Sequence, residues 1–233
     1  MGNIYSDGTY KKVTPSWHTE DSEWKALQIA QAIRQTGINP KNVCDIGCGA
    51  GEVLWGLAGM LPEYVQFAGY EPSPQAQSMQ RPDPSGRIRF VHADFWATNT
   101  LYYDLIMAID VFEHISDYLG FLEMLRSHAN HVLFHIPLEL TVYNLLRGGI
   151  LANSRKTLGH LHFFDRDTAL AAVESCGYTI VSENYTNWID ELPHRARLQP
   201  ILRRTLKLLK RFCSDHASIR LLGGNSLLVV AKS

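Results

Sequence analysis

The sequence has almost no net charge and no long apolar run. Its 233 residues carry 22 lysines and arginines against 23 aspartates and glutamates, which gives a formal net charge of −1. This balance gives no overall electrostatic attraction to nucleic acid. No apolar run reaches the ~18 residues that a membrane-spanning helix needs, and the first residues lack the basic-then-apolar pattern of a secretory signal. We therefore expect a cytoplasmic protein.

Cysteine is scarce and irregularly spaced. The four cysteines, Cys44, Cys48, Cys176 and Cys213, form no C-x-x-C pair, so neither a redox motif nor a cysteine-based zinc motif is indicated. We expect reduced thiols in the core. A hydrophobic content of 45% and a charged content of 19% are typical of a globular protein, and the length is sufficient for one sizeable core. These values predict a single domain.

The sequence also lacks the common nucleotide-binding motifs at its most distinctive segment, a glycine-rich turn. Val43 and Ile46 belong to a short apolar run that predicts a buried strand, and Gly47, Gly49 and Gly51 follow at alternate positions. Glycines permit the tight turn from a strand into a helix and let a ligand approach the backbone N–H groups there. Their spacing is not the G-x-G-x-x-G of dinucleotide-binding folds, and no Lys-Ser or Lys-Thr pair of a phosphate loop follows.

Two acidic residues favour a different ligand. Asp45, directly before the turn, would repel a phosphate but can accept a hydrogen bond from an ammonium group. Glu71 follows the predicted second strand, 65–70, about 20 residues after Gly51, at the strand end where doubly wound sheets bind ligands. A carboxylate at that place can accept hydrogen bonds from both hydroxyls of a ribose. Together these acids favour a nucleoside with a cationic amino-acid tail.

The rest of the chain alternates strand and helix patterns. Apolar residues at i, i+3, i+4 and i+7 predict an N-terminal helix through about residue 35. Further strands are predicted at 88–91, 103–110, 131–137, 178–181 and 226–231. Strands that alternate with helices are typical of an α/β fold with a largely parallel sheet.

This order of motifs resembles the class I S-adenosylmethionine-dependent methyltransferases, in particular small-molecule enzymes similar to ubiquinone-biosynthesis O-methyltransferases. The glycine turn resembles motif I of the family, Glu71 its acidic residue on the second strand, and Asp94-Phe95 its adenine site. The resemblance covers about residues 40–232 and implies a Rossmann-like doubly wound seven-stranded sheet, order 3-2-1-4-5-7-6, with the last strand antiparallel. It implies S-adenosylmethionine as the methyl donor and S-adenosylhomocysteine as the product.

The resemblance also divides the single methyltransferase domain into parts. These are an N-terminal helical lid (1–38), a cofactor-binding half (39–136), a cap insertion (138–160) and a C-terminal half (161–233) with a basic helical insertion (187–223).

Nine residues are assigned to the cofactor by the resemblance. They are Asp45, Gly47, Cys48, Gly49, Glu71, Pro72, Asp94, Phe95 and Ile109. Asp94 would accept a hydrogen bond from the exocyclic amine of adenine, Phe95 would cover the ring, and the backbone of Ile109 would contact the methionine part. The alternative for Asp94-Phe95 is a turn aspartate followed by a core aromatic. Trp17 or His18 would touch the cofactor if the N-terminal helix is a lid; in the alternative, Trp17 and Trp24 would only fix that helix to the core.

Candidate catalytic residues follow the fourth strand in the segment Asp110-Val111-Phe112-Glu113-His114. On a helical turn Asp110, Glu113 and His114 face the same way, beside the expected methyl group. His114 is a candidate general base that Glu113 orients. The D-x-x-E-H pattern is also similar to the E-x-x-E-H of ubiquinone-biosynthesis O-methyltransferases and small-RNA 2′-O-methyltransferases, whose acids and histidine bind a divalent ion. A structural cap of the turn is the third interpretation.

A histidine from later in the chain completes the site in those RNA enzymes. His162, or alternatively His160, is the candidate here, and the two alternate like residues on one face of a strand that lines the acceptor pocket. The predicted catalytic set is Asp110, Glu113, His114 and His162. A divalent metal stays an open alternative without assigned ligands.

The acceptor is expected to be a small molecule methylated on a hydroxyl oxygen, without a nucleic-acid partner. Residues 195–211 contain seven arginines or lysines and no acidic residue, and predict a basic amphipathic helix. Such a helix can contact an anionic surface or pack as a solvated helix, and it keeps RNA methylation open as an alternative. A catalytically inactive cofactor-binding interaction module is the other alternative. Neither insertion carries a motif that identifies the acceptor.

Overall fold

The computed structural model describes residues 9–192 and 213–233 and the single positions 204 and 208. Apart from those two positions, the predicted basic helix at 195–211 lies outside the described residues.

A seven-stranded sheet forms the centre of the molecule. Its strands are β1 (Asn42–Ile46), β2 (Gln66–Tyr70), β3 (Ile88–Val91), β4 (Tyr103–Ile109), β5 (Ala129–Pro137), β6 (Thr179–Thr186) and β7 (Ser226–Lys232). The strand order is β3-β2-β1-β4-β5-β7-β6. Strands β1 to β5 pair in parallel, whereas β7 is antiparallel to both β5 and β6. The predicted fold class, strand order and antiparallel last strand are confirmed.

Helices connect these strands and precede the first of them. In the described residues they are α1 (Thr9–Val13), α2 (Ser22–Thr36), α3 (Glu52–Met60), α4 (Pro74–Gln77), α5 (Phe95–Thr98), α6 (Tyr118–Arg126), α7 (Val142–Arg147), α8 (Ile150–Thr157), α9 (Arg166–Ser175), α10 (Trp188–Glu191) and α11 (Asp215–Leu222). Short 3-10 turns occur at Thr19–Asp21 and Phe112–His114. None of these helices has both the length and the apolar character that crossing a membrane requires.

Apolar side chains cover both faces of the sheet. One core cluster contains Phe112 and Phe134, and a second contains Leu54 and Met107, all of them fully buried. Because both faces are covered, the central strands are continuous apolar runs rather than alternating ones.

The N-terminal helix is confirmed as α2. Its buried face contains Ala26, Ile29, Ala30 and Ile33, the residues whose spacing predicted the helix. Helix α2 packs closely on α3 because Gly56 has no side chain: a Cβ at that position would lie 2.6 Å from the Cβ of Ala26. The segment before β1 is thereby fixed against the glycine-turn half of the sheet.

The segment from 138 to 160, predicted as a cap insertion, contains α7 and α8. Asn144 stabilises the start of this segment, because its side-chain amide donates a hydrogen bond to the carbonyl of Glu139 at 2.7 Å. Helix α7 starts after Thr141, whose hydroxyl accepts a hydrogen bond from the Asn144 backbone N–H at 3.2 Å and acts as the N-cap.

Candidate active site

The turn after β1 depends on glycine for two separate reasons. Gly47 and Gly49 have φ angles of +72° and +54°, in the left-handed region that side chains disfavour. At Gly51 a Cβ would lie 2.4 Å from the ring of Phe90, so the close packing of the turn on β3 also requires glycine. The backbone N–H groups of Gly47 and Cys48 both donate to the carbonyl of Tyr70, at 2.8 and 3.1 Å. The turn is therefore fixed against the end of β2.

Glu71 fixes the other side of the same turn. Its Oε2 atom accepts from the backbone N–H of Gly49 at 2.9 Å, and its Oε1 atom accepts from that of Ser73 at 2.7 Å. Gln80 in turn donates to the carbonyl of Gly49 at 2.7 Å. Burial raises the pKa of Glu71, although these two backbone N–H groups oppose the shift. A carboxylate has further lone pairs, so Glu71 can still accept two hydrogen bonds from a ligand.

Asp45 is a buried acid whose interactions are incomplete. Only 2% of it is exposed, and its Oδ1 atom has no hydrogen-bond partner among the described residues. Burial, and then the charge of Glu71, raise the pKa of Asp45 to about 8, while Lys25 acts in the opposite direction. A buried acid without a partner is costly, so a cationic ligand group placed beside Asp45 would be stabilised.

These residues surround a cavity of about 280 Å³, which we call the loop cavity. It is lined by seven of the nine residues predicted for the cofactor: Asp45, Gly47, Cys48, Gly49, Glu71, Pro72 and Ile109. Trp17 and His18, from the segment before α2, line it as well. The structure therefore places the N-terminal segment against the same cavity as the glycine turn.

Asp94 and Phe95 are the two predicted cofactor residues that do not line the loop cavity. Phe95 is only 2% exposed and packs edge-on against Tyr70 and Trp96, with ring centroids 5.0 and 4.8 Å apart. Asp94 is the N-cap of α5, where its side chain accepts from the Trp96 backbone N–H at 2.9 Å. Because the ring of Phe95 has no free face, the expectation that it covers an adenine ring is corrected: Phe95 is a core residue.

A second cavity, of about 320 Å³, lies beside the segment 138–160, and we call it the cap cavity. Its lining includes Glu113, His135, Glu139, His160 and Ser226. The two cavities share five lining residues: Tyr10, His18, Lys25, Asp110 and His114. They therefore meet at the end of β4.

Asp110 stands at this junction with a left-handed backbone, φ +54°. Its Oδ2 atom accepts from Lys25 Nζ at 2.7 Å, and its Oδ1 atom lies 2.6 Å from Nδ1 of His135. The other ring nitrogen of His135 is 3.0 Å from the hydroxyl of Thr186. Burial favours a higher pKa for Asp110, but Lys25 and His135 outweigh it and hold the pKa well below the usual range. Asp110 is therefore a paired carboxylate.

The structure places Asp110, Glu113 and His114 around the same cavity, the cap cavity. The metal-ligating atoms that lie together, within 4.8 Å of one another, belong to Glu113, His114 and His160. Asp110, whose backbone is left-handed, directly precedes the 3-10 turn that holds the other two, and its carboxylate is not part of this cluster. The cluster is thus formed by the turn after β4 and by the chain after α8.

Glu113 and His114 are both strongly affected by burial. Glu113 has 0% exposure, and neither carboxyl oxygen has a hydrogen-bond partner among the described residues. Burial and then the charge of Asp110 raise the pKa of Glu113 well above its usual value. Burial and then His160 lower the pKa of His114 to about 4, so its imidazole is uncharged at neutral pH.

His160 and His162 do not share a face, because the chain between α8 and α9 forms no strand. His160 lines the cap cavity, and its Nδ1 atom is hydrogen bonded to Oε2 of Glu139. His162 instead lies 3.0 Å from the carbonyl of Ile115 through Nε2, and its ring centroid is 4.6 Å from that of Tyr118. It lines neither cavity. The alternative candidate, His160, replaces His162 in the site.

Three residues of the site were not predicted from the sequence: Lys25, His135 and Glu139. Glu139 could have been found, since it follows the fifth strand directly, at the sheet edge where ligand-binding residues of such folds collect. Lys25 and His135 carry no local signal of this kind, because Lys25 lies within a regular helix and His135 within a buried strand.

Comparison with known families identifies the chain. Residues 17–183 match the family described as methyltransferase domain, and this is well over half of the chain. The chain therefore belongs to the methyltransferase domain family, and the predicted relation to the class I S-adenosylmethionine-dependent methyltransferases is confirmed. A comparison with curated proteins gave no match.

Solved structures of methyltransferases have the same fold. The methyltransferase domain of bacterial CtHen1-C has a TM-score of 0.58 at 16% identity, with 90% of this chain and 97% of that chain covered. The plantazolicin methyltransferase BpumL, in complex with a monoazolic desmethylPZN analogue and S-adenosylhomocysteine, has a TM-score of 0.63 at 15% identity, with 99% and 92% covered. The N-methyltransferase NodS from Bradyrhizobium japonicum, also with S-adenosylhomocysteine, has a TM-score of 0.56 at 14% identity, with 97% and 99% covered.

Proposed function

We propose that this chain transfers a methyl group from S-adenosylmethionine to a hydroxyl oxygen of a small molecule bound in the cap cavity. The observation that carries this proposal is that two cavities meet at Lys25, Asp110 and His114. The loop cavity has the chemistry of a nucleoside site, and the cap cavity is an adjoining space of similar volume. A donor and an acceptor held on either side of this junction can be aligned for direct transfer, and such alignment lowers the barrier relative to free reactants.

The residues of the loop cavity fit the donor. S-adenosylmethionine, when bound, supplies an electrophilic methyl group on a sulfonium. Glu71 keeps two acceptor sites for ribose hydroxyls beyond its bonds to Gly49 and Ser73. Asp45, with its unpaired Oδ1 atom, suits the amino group of the methionine part. Gly49 has no side chain, and a Cβ at this position would meet no protein atom within 4 Å. The space beside the turn is therefore available to a ligand.

The histidines at the cap cavity favour a hydroxyl as the reacting group. His114 is uncharged at neutral pH, because its pKa is lowered to about 4, and an uncharged imidazole can accept a hydrogen bond. Its ring centroid is 4.8 Å from that of His160, so two imidazoles lie at this wall. A hydroxyl group that donates a hydrogen bond to the imidazole of His114 or of His160 presents an oxygen lone pair for reaction. These side chains thus orient an oxygen nucleophile and withdraw its proton.

Residues before α2 keep this junction out of water. Tyr10 and His18 line both cavities, and Trp17 lines the loop cavity. Tyr10 is only 9% exposed, and its ring centroid is 4.9 Å from that of Trp17. An aromatic wall of this kind excludes water, which would compete with the acceptor for a reactive methyl group.

The first test is isothermal titration calorimetry of the full chain with S-adenosylmethionine and, separately, with NAD. We expect saturable binding of the first ligand alone. Glu71→Ala should weaken it about 100-fold, since two hydrogen bonds to a charged acceptor would be lost. Glu63→Gln is the control, because Glu63 is an exposed acid outside the loop cavity; we expect unchanged affinity. Equal donor affinity in wild type and Glu71→Ala would remove the proposed cofactor placement.

The second test concerns transfer. The chain is incubated with methyl-labelled donor and a panel of phenols, catechols and aliphatic alcohols, with matched amines as the comparison set. Label on an oxygen supports the proposal, and label only on nitrogen contradicts the choice of acceptor atom. Donor binding without transfer to any compound or to a cell extract would favour the inactive interaction module.

A further inference from the structure

The cluster of Glu113, His114 and His160 has the composition of a metal site. Its ligating atoms lie within 4.8 Å of one another, and Glu113 is fully buried with no hydrogen-bond partner among the described residues for either oxygen. His114 Nε2 lies 3.8 Å from Glu113 Oε1. Buried carboxylates are normally paired or coordinate a metal. A divalent cation therefore fits these three side chains.

The first acid of the D-x-x-E-H segment does not belong to this cluster. Asp110 is held by Lys25 at 2.7 Å and by His135 at 2.6 Å, so both of its oxygens already have cationic or hydrogen-bonding partners. To ligate an ion beside Glu113, Asp110 would have to give up both contacts and leave Lys25 with an unpaired ammonium group, only 12% of whose side chain is exposed. The two ion-pair contacts therefore withdraw Asp110 from any metal.

A different carboxylate, that of Glu139 in the segment 138–160, contacts the cluster. Oε2 of Glu139 is hydrogen bonded to Nδ1 of His160, and Oε1 of Glu139 accepts from the hydroxyl of Ser154 at 2.9 Å. The bond to Glu139 fixes the ring of His160 and uses Nδ1, so Nε2 is the nitrogen that remains for ligation. A carboxylate on the far nitrogen of a histidine is the usual support of a metal-binding imidazole. His114 has comparable support from the backbone of Gly159.

We infer that Glu139, and not Asp110, is the second carboxylate of a divalent-cation site, in which Glu113, His114 and His160 ligate the ion and Glu139 positions His160. Two imidazoles and one carboxylate favour transition-metal ions such as Mn²⁺, Co²⁺ or Zn²⁺ over Mg²⁺, which prefers oxygen ligands. With the ion bound, the two imidazoles would hold the ion instead of accepting the proton of the hydroxyl, and the ion would act as a Lewis acid on the acceptor oxygen. Because the cluster lies at the wall of the cap cavity, this inference rests on the proposed function, but metal binding is measurable without turnover.

The experiment titrates the full chain with cobalt(II) chloride alone, followed by calorimetry and by visible absorption of the bound ion. We expect a single saturable site in the wild type. His160→Asn should weaken cobalt binding at least about tenfold, and Glu139→Gln about 10- to 100-fold. His162→Asn is the matched control, since it removes an imidazole two residues away that faces Tyr118 instead. His162→Asn and Asp110→Asn should each change the affinity less than about threefold.

Three results would overturn the inference. They are the absence of a saturable cobalt site in the wild type, a loss in Asp110→Asn as large as in His160→Asn, and an unchanged affinity in Glu139→Gln. Donor titrations of the same preparations show whether each variant is folded, because the loop cavity contains none of the substituted residues except Asp110. Cobalt binding without donor binding would contradict the proposed function and support the metal site. Donor binding without cobalt binding would contradict the metal site and leave the proposed function unaffected.

Discussion

Lys25 reaches from α2 to Asp110 at the end of β4, and its Nζ atom lies 2.7 Å from Oδ2 of that residue. The pair crosses the junction of the loop and cap cavities, since both residues line both of them. Lys25 also lowers the pKa of Asp45 and Asp110. One ammonium group therefore acts from the N-terminal helix on an acid of β1 and on an acid that follows β4.

Lys25→Met should loosen this connection. We expect a loss of about 1–2 kcal/mol in the free energy of unfolding, because Asp110 loses a cationic partner but keeps His135 and some solvent contact. Donor affinity should fall about tenfold, since Lys25 lines the loop cavity and no longer holds Asp110 in place there. Chemical denaturation and donor calorimetry measure the two effects. Lys41→Met, at an exposed lysine outside both cavities, is the control, and equal behaviour of the two variants would contradict a positioning role for Lys25.

Asp45→Asn should raise the stability of the donor-free chain at pH 8 and lower its affinity for the donor. The pKa of Asp45 is about 8 in the folded chain and about 4 in an unfolded one, so the folded state holds a proton that the unfolded state releases. Stability from this group is therefore present below about pH 4 and falls as the pH rises towards 8. Without donor, Asp45→Asn should melt higher than wild type at pH 8, with a smaller difference at pH 5. Donor affinity should fall at least about tenfold, because an amide cannot neutralise an ammonium group.

Thermal melting from pH 5 to 9 checks this sign. Asp94→Asn, at an exposed helix cap, should keep the wild-type pH dependence. A parallel pH profile for Asp45→Asn and wild type would show that the buried acid is not the titrating group.

Phe95→Leu should act on the core alone. The ring packs against Tyr70 and Trp96, so a smaller side chain should cost about 1–3 kcal/mol of unfolding free energy. Donor affinity should change less than about twofold, since Phe95 does not line the loop cavity. A tenfold loss of donor affinity with unchanged stability would restore the ring-covering role.

Gly49→Ala tests whether the space beside the turn belongs to the ligand. Gly37 offers a close control, because both glycines have positive φ angles and neither Cβ would meet a protein atom within 4 Å. Each alanine variant should lose about 1–2 kcal/mol of stability through backbone strain. Only Gly49→Ala should weaken donor binding, by at least about tenfold, because Gly37 lies outside the loop cavity. Equal donor affinities in the two variants would show that the ligand lies elsewhere.

The predicted residues that the structure brings to one cavity are related by short-range patterns. Gly47 and Gly49 stand directly after a buried strand, and Glu71 follows the next one, so strand ends alone bring them together. The sheet order is implied by the family resemblance, whereas the alternation of elements indicates only a largely parallel sheet. Phe95 shows the limit: an acid followed by an aromatic residue defines a position at the end of a strand, but the direction of the ring depends on the neighbouring core.

The remaining contacts join residues that are distant in the chain. Lys25 and Asp110 are 85 residues apart, and Glu139 and His160 are 21 apart across two helices. The periodicity of the sequence does not reveal such pairs, because each of the two residues is compatible with its own helix, strand or loop whether or not its partner is present. The choice of His160 over His162 likewise depends on the absence of a strand in that segment, which decides which of two similar residues faces the cavity.

The cap cavity takes its walls from both ends of the described chain, Tyr10 near one end and Ser226 near the other. During synthesis on the ribosome, the glycine turn and Glu71 emerge well before β7 does. All residues that line the loop cavity lie between Tyr10 and Ile115, whereas the cap cavity also needs Ser226 of the last strand. The cap cavity therefore has its complete wall only in a chain that has been synthesised through β7.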